Sequence, residues 1–135
     1  MPRARTRLLL LAATFLGGIL AGTAVDRVIV GGPAWHELGA AAWLEYSRRA
    51  DLGAGLVAYP IEGIGAALLA IAATVSNYFD GNRRRGTVLA LYCAAVFSIV
   101  GLLQFFVWGL YLRGAAETLA FAALVWALSD LYRIE

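Results

Sequence analysis

Four long apolar runs separated by short polar breaks dominate the chain, and none alternates residue by residue as a barrel strand would. The first extends from about Leu8 to about Val25 and stops at Asp26 and Arg27. The second covers about Leu52 to Tyr78, the third about Thr87 to Leu112, and the fourth about Ala115 to Leu131. Each approaches or exceeds the roughly 20 residues that a helix needs to cross the hydrocarbon core. Helices also satisfy their own backbone groups where lipid offers no partner. The pattern predicts an all-α fold: an integral membrane four-helix bundle in a single domain of 135 residues.

The first run has the outline of a secretory signal peptide, with Arg3, Arg5 and Arg7 before a leucine run and small residues at its end. It is read as the first span. Between the first two spans, residues of about 33–50 predict a short amphipathic helix beyond the outer surface. Pro33 suits a first helical position. Trp35, Leu38, Ala42 and Tyr46 recur at steps of three and four, and Glu45 and Arg49 stand one turn apart as an ion pair would. An ordinary connecting helix fits this stretch equally well.

Composition sharpens the class. The chain is 61% hydrophobic and 15% charged, against about a quarter charged for an ordinary soluble domain. All eleven basic residues are arginine, which we read as the codon bias of a GC-rich bacterial genome. The net charge of +2 is small, and no basic stripe with interleaved aromatics is present, so no nucleic-acid partner is expected. The single cysteine, Cys93, lies in an apolar run and reads as a packing residue. Arg3, Arg5 and Arg7 share a side with Arg83, Arg84 and Arg85 if four spans are counted. The positive-inside rule then places both termini in the cytoplasm and the protein in the plasma membrane. Tyr78, Trp108, Tyr111 and Tyr132 fall near helix ends, as an aromatic belt would.

Glu62 carries the strongest functional signal. It lies about ten residues, or about 15 Å, below the outer end of the second span. A charge at such a depth is costly unless it faces a cavity, finds a partner or takes a proton, so it is a candidate acid/base. A carboxyl that only bonds a neighbouring helix is the structural alternative. Gln104 lies at a similar depth in the third span, with Tyr59 and Trp108 each about one turn above their partners. Glu117 falls near the outer start of the fourth span. His36, the one histidine, lies in the outer segment. The polar residues gather in the outer half, which predicts a polar cavity opening outward or to the outer leaflet and not a through-channel.

No second histidine and no nearby cysteine accompany His36, so no structural zinc site is expected, while a general base, a haem ligand or a metal ligand are the roles open to this one histidine. No phosphate loop, CxxC or nucleophile motif is present either. Gly18 and Gly22, with Gly63, Gly65, Ala66, Ala67 and Ala70, make smooth faces for close helix packing or for a homo-oligomer. Pro60 removes a backbone donor just above Glu62.

Several local stretches resemble a known family. They are Ala21-Gly22-Thr23-Ala24, Gly32-Pro33-Ala34-Trp35, Trp43-Leu44-Glu45-Tyr46-Ser47-Arg48, Asp51 and Tyr59-Pro60. Together with four spans they resemble the DUF1772, or anthrone-oxygenase-like, membrane proteins. The resemblance implies a small monooxygenase that oxidises an activated methylene without a bound organic cofactor. It points to Trp35, His36, Trp43, Tyr46, Arg48 and Pro60.

On this expectation a lipophilic aromatic or quinone-like substrate enters from the membrane. Glu62, with His36, is the catalytic candidate, and Tyr59, Gln104, Trp108, Trp35, Trp43 and Glu117 hold the ring. The alternative is a non-enzymatic protein that binds lipid or a small molecule, or an accessory subunit of a complex.

Overall fold

The computed structural model describes residues 3–107 and 110–133, and the side chains of residues 104–114 lie outside what it describes. Its helices are α1 (Ala4–Asp26), α2 (Gly32–Leu38), α3 (Ala40–Arg49), α4 (Gly55–Phe79), α5 (Arg85–Val107) and α6 (Leu110–Tyr132). Single π-helical turns at Arg27–Gly31 and Ala50–Ala54 join α1 to α2 and α3 to α4. No strand occurs among the described residues. The long helices α1, α4, α5 and α6 form an all-α four-helix bundle, each long and apolar enough to cross a membrane. The chain is thus a multi-pass membrane protein. Neighbours run α1–α4–α5–α6 and back to α1.

Small residues fill the centre. Ala66, Ala70, Ala73 and Asn77 recur at steps of four and three on the buried face of α4, against Ala13 and Leu10 of α1 and Ala90, Leu91 and Ala94 of α5. Leu124 and Ala127 of α6 complete this core. Large apolar side chains point the other way: Phe15, Leu56, Leu68, Leu89 and Trp126 are exposed. A water-soluble bundle would bury such side chains. In lipid they cost nothing outside, while small residues inside let the backbones approach. Gly18 and Gly65 are two such close approaches between helices, because a Cβ there would stand 2.9 Å from Phe121 and Leu16 respectively. Gly22, predicted to share a packing face with Gly18, faces open space.

Each end of the bundle has its own character. At the arginine end, Thr6 and Ser76 hydroxyls share a hydrogen bond of 2.6 Å, and Thr6 also donates to Asp80. The Arg3 backbone N–H donates to the same carboxylate at 2.9 Å. Across the bundle, the Thr87 hydroxyl donates to Asp130 at 2.7 Å, and Arg84 donates to the Asp130 backbone carbonyl at 2.6 Å. These two clusters tie α1 to α4 and α5 to α6. Gly81, at φ +70°, makes the turn between α4 and α5.

The opposite end carries the α2–α3 hairpin. It corrects the expectation of one amphipathic helix over 33–50, because the helix breaks at Gly39, whose φ of +87° a side chain would strain. The predicted Glu45–Arg49 pair is present at 2.5 Å within α3. A second correction concerns α6, which starts at Leu110, so Leu110 to Leu112 belong to it and not to the third span.

Candidate functional site

Two of the cavities in the half of the bundle nearer the hairpin are lined by residues singled out from the sequence. The inner one has a volume of about 100 Å³ and lies between all four long helices. Glu62 of α4 and Glu117 of α6 both line it, with Tyr59, Thr23 and Ser98 as further polar groups among apolar walls. Exposed Pro60 and Ile64 also belong to its wall, so it opens sideways toward the lipid-facing surface.

Local sequence explains why two acids meet here. Glu62 sits between Pro60, which donates no backbone hydrogen bond to the turn above, and Gly63, whose missing side chain leaves room beside Leu102. Glu117 packs over Gly101 of α5, where a Cβ would stand 3.3 Å from its Cγ. Glu117 is 7% exposed. The Oε2 atom of Glu62 is buried and accepts no hydrogen bond among the described residues. A buried polar atom without a partner costs about 1–3 kcal/mol, so an atom kept in this state points to a ligand, a proton or water that completes it.

The outer cavity is larger, about 710 Å³, and lies between the end of α1 and the hairpin. His36, Trp35 and Trp43 line it together with Asp26, Arg27, Tyr46 and Asp51. The structure therefore brings Glu62, Tyr59 and Glu117 together and places His36, Trp35 and Trp43 elsewhere. The expected Glu62–His36 partnership is corrected: the two residues line different cavities because α2 extends away from the bundle after the π turn. Trp108 and the side chain of Gln104 lie outside the described residues.

A partition separates the two cavities. The Arg27 guanidinium donates to Asp51 and, at 2.6 Å, to the Tyr59 hydroxyl, while lying 4.7 Å from the centre of the Tyr59 ring. Ser47 donates to the other Asp51 oxygen at 2.7 Å. This network joins the two π turns to α3 and α4 and pins the hairpin to the bundle. In sequence, Arg27 and Asp51 read as loop charges. Their one detectable signal is position: each borders the apolar run of its own span. Gly55 keeps the junction open, since a Cβ there would stand 2.6 Å from the Tyr59 ring.

No cluster of three or more His, Cys, Asp or Glu side chains suited to a metal ion occurs among the described residues. Comparison with protein-family models, characterised proteins and solved structures finds nothing that matches this chain.

Proposed function

We propose that this chain lies in the bacterial plasma membrane with its arginine end in the cytoplasm, binds a lipophilic small molecule at the inner cavity, and uses Glu62 to accept a proton from it. The buried Oε2 of Glu62, without a hydrogen-bond partner among the described residues, in an apolar cavity that opens sideways is the observation that carries this reading. A membrane-dissolved molecule reaches such an opening without crossing water. Tyr59 closes the cavity toward the hairpin, and Thr23 and Ser98 offer hydroxyls to a polar edge.

The resemblance to anthrone-oxygenase-like proteins extends the proposal to chemistry. Glu62 takes a proton from an activated methylene, and the carbanion left behind is oxidised by dioxygen. The methylene becomes a carbonyl and water is the second product. Electrons pass from substrate carbon to oxygen, so no bound organic cofactor is needed for the balance.

Cavity size favours a second reading. Ligand pockets usually measure about 300–1,000 Å³. A space of about 100 Å³ admits only the reacting edge of a fused-ring substrate, whose remainder would lie in lipid. The same space suits a non-enzymatic site for a lipid or a smaller molecule.

Glu62→Gln separates the readings. The purified protein and the variant are compared by native mass spectrometry, absorption and oxygen uptake with an anthrone. Uptake that disappears in a variant of unchanged melting temperature supports the oxygenase. A bound molecule lost without any uptake supports the binding site. A variant that no longer folds makes Glu62 a structural residue and sinks both.

A further inference from the structure

The outer cavity has a chemistry that the inner one lacks. Three aromatic rings line it: Trp35, Trp43 and Tyr46. Trp35 and Tyr46 pack on one another with ring centres 4.8 Å apart and planes tilted by 42°, so α2 and α3 hold the two rings in fixed orientation. Trp43 is 46% exposed and belongs to the same wall.

The charges of this wall do not cancel. Arg27 is committed to Asp51 and Tyr59. Asp26, on the same wall, carries no ion pair among the described residues. The lining has two carboxylates, Asp26 and Asp51, against one guanidinium, Arg27, and these three groups sum to a net negative charge. An aromatic, net-negative cavity of about 710 Å³ selects an organic cation, and it excludes anions. A quaternary ammonium fits better than a primary amine, because ring faces attract its charge without needing hydrogen-bond acceptors.

We propose that the hairpin cavity is a binding site for a trimethylammonium group, held by the Trp35, Trp43 and Tyr46 rings with Asp26 as counter-ion. The hairpin and the π turns on either side of it expose Ile29, Val30, Leu38, Leu44 and Leu52, an apolar surface that suits the level of lipid headgroups. The group can therefore arrive free in water, as choline, or as the headgroup of phosphatidylcholine. The site is separate from the Glu62 cavity and survives the failure of that reading.

The test uses the full chain. Choline and its neutral isostere 3,3-dimethylbutanol are titrated calorimetrically against detergent-purified protein, and lipid retention is read by mass spectrometry from phosphatidylcholine and phosphatidylglycerol nanodiscs. Saturable choline binding, at least tenfold tighter than that of the isostere, supports the site with a free ligand. Selective retention of phosphatidylcholine without choline binding supports it with the lipid headgroup. Trp43→Ala should weaken whichever occurs about tenfold, equal to about 1.4 kcal/mol. Trp43→Phe, which keeps a ring, should stay within about threefold of wild type. Trp43 is half exposed, so an unchanged melting temperature in both variants keeps the comparison valid. Equal binding of the isostere, no preference between the two lipids with no choline binding, or full binding by Trp43→Ala each overturns the proposal.

Discussion

The arginine end and the hairpin half of this bundle treat polar groups in opposite ways. At the arginine end, Thr6 and Thr87 are both fully buried and both hydrogen-bonded to an aspartate, Asp80 just past the end of α4 and Asp130 in α6. Asn77, also buried, accepts from Asn82 at 3.0 Å. In the hairpin half, Glu62 keeps a buried oxygen without a partner among the described residues, and it lines a cavity of about 100 Å³. One end is thus built for stability, and the other gives up some stability for an open site. Buried polar groups that are satisfied hold helices in register, and those left unsatisfied mark where something else must bind.

The largest effect should follow from removing a satisfied partner. Asp130 accepts from Thr87 and stands beside Arg84, and its side chain is only 16% exposed. Asp130→Ala strands a buried hydroxyl and opens space over Gly86, where Asp130 now packs. A loss of about 2–3 kcal/mol is expected in detergent unfolding experiments. A loss below about 0.5 kcal/mol would mean that the arginine end does not hold α5 to α6.

Arg27→Ala should cost less, about 1–2 kcal/mol, because its pair with Asp51 is a quarter exposed on each side and screened accordingly. Its signature is local. Amide exchange should accelerate across α2 and α3 and stay unchanged in α5. Uniform acceleration would show that Arg27 supports the whole bundle and not the hairpin alone.

A smaller contrast lies in pH. Hydrogen bonds from the Thr6 hydroxyl and the Arg3 N–H hold the Asp80 carboxyl below the ordinary carboxylate range. A carboxyl lowered in the folded state stabilises fully above its unfolded value of about 3.9 and loses that contribution as pH falls through its folded value. Stability of the α1–α4 contact should therefore fall in acid below about pH 4. Thr6→Val should flatten this dependence, which acid titration of melting temperature would register.

Much of this architecture is legible in the sequence, for identifiable physical reasons. The spans are readable because an unbroken apolar run of membrane length is rare in a soluble fold, where a helix needs a polar face. The Glu45–Arg49 pair is readable because one turn fixes its spacing. The break at Gly39 has a signal, a glycine after the last apolar residue of a short helix, which the longer amphipathic pattern overrides. Thr6 and Thr87 are not readable as clasps, because sequence does not give the register between two smooth helices. A hydroxyl in a helix commonly bonds its own carbonyl four residues back, as Thr14 does at 2.7 Å. Glu117 reads as too near the surface for a specific reason. Starting the last helix at Leu110 instead of near Ala115 sinks Glu117 by about five residues, or about 7 Å, to the level of the Glu62 cavity.

The smallest effect is the most informative. Glu62→Leu should leave stability unchanged or raise it by up to about 1 kcal/mol, although it removes an ionisable group from a membrane helix. Glu62 Oε2 accepts no hydrogen bond among the described residues, and a leucine fills part of a cavity with apolar walls. A residue retained for packing would behave in the opposite way, with a loss comparable to that of Asp130→Ala. Unfolding measurements on the two variants side by side decide between these outcomes. A stable Glu62→Leu beside an unstable Asp130→Ala means that the carboxyl serves a ligand or a proton. Equal losses in both would mean that the two halves of the bundle follow one rule, and that Glu62 has a partner that stabilises the fold.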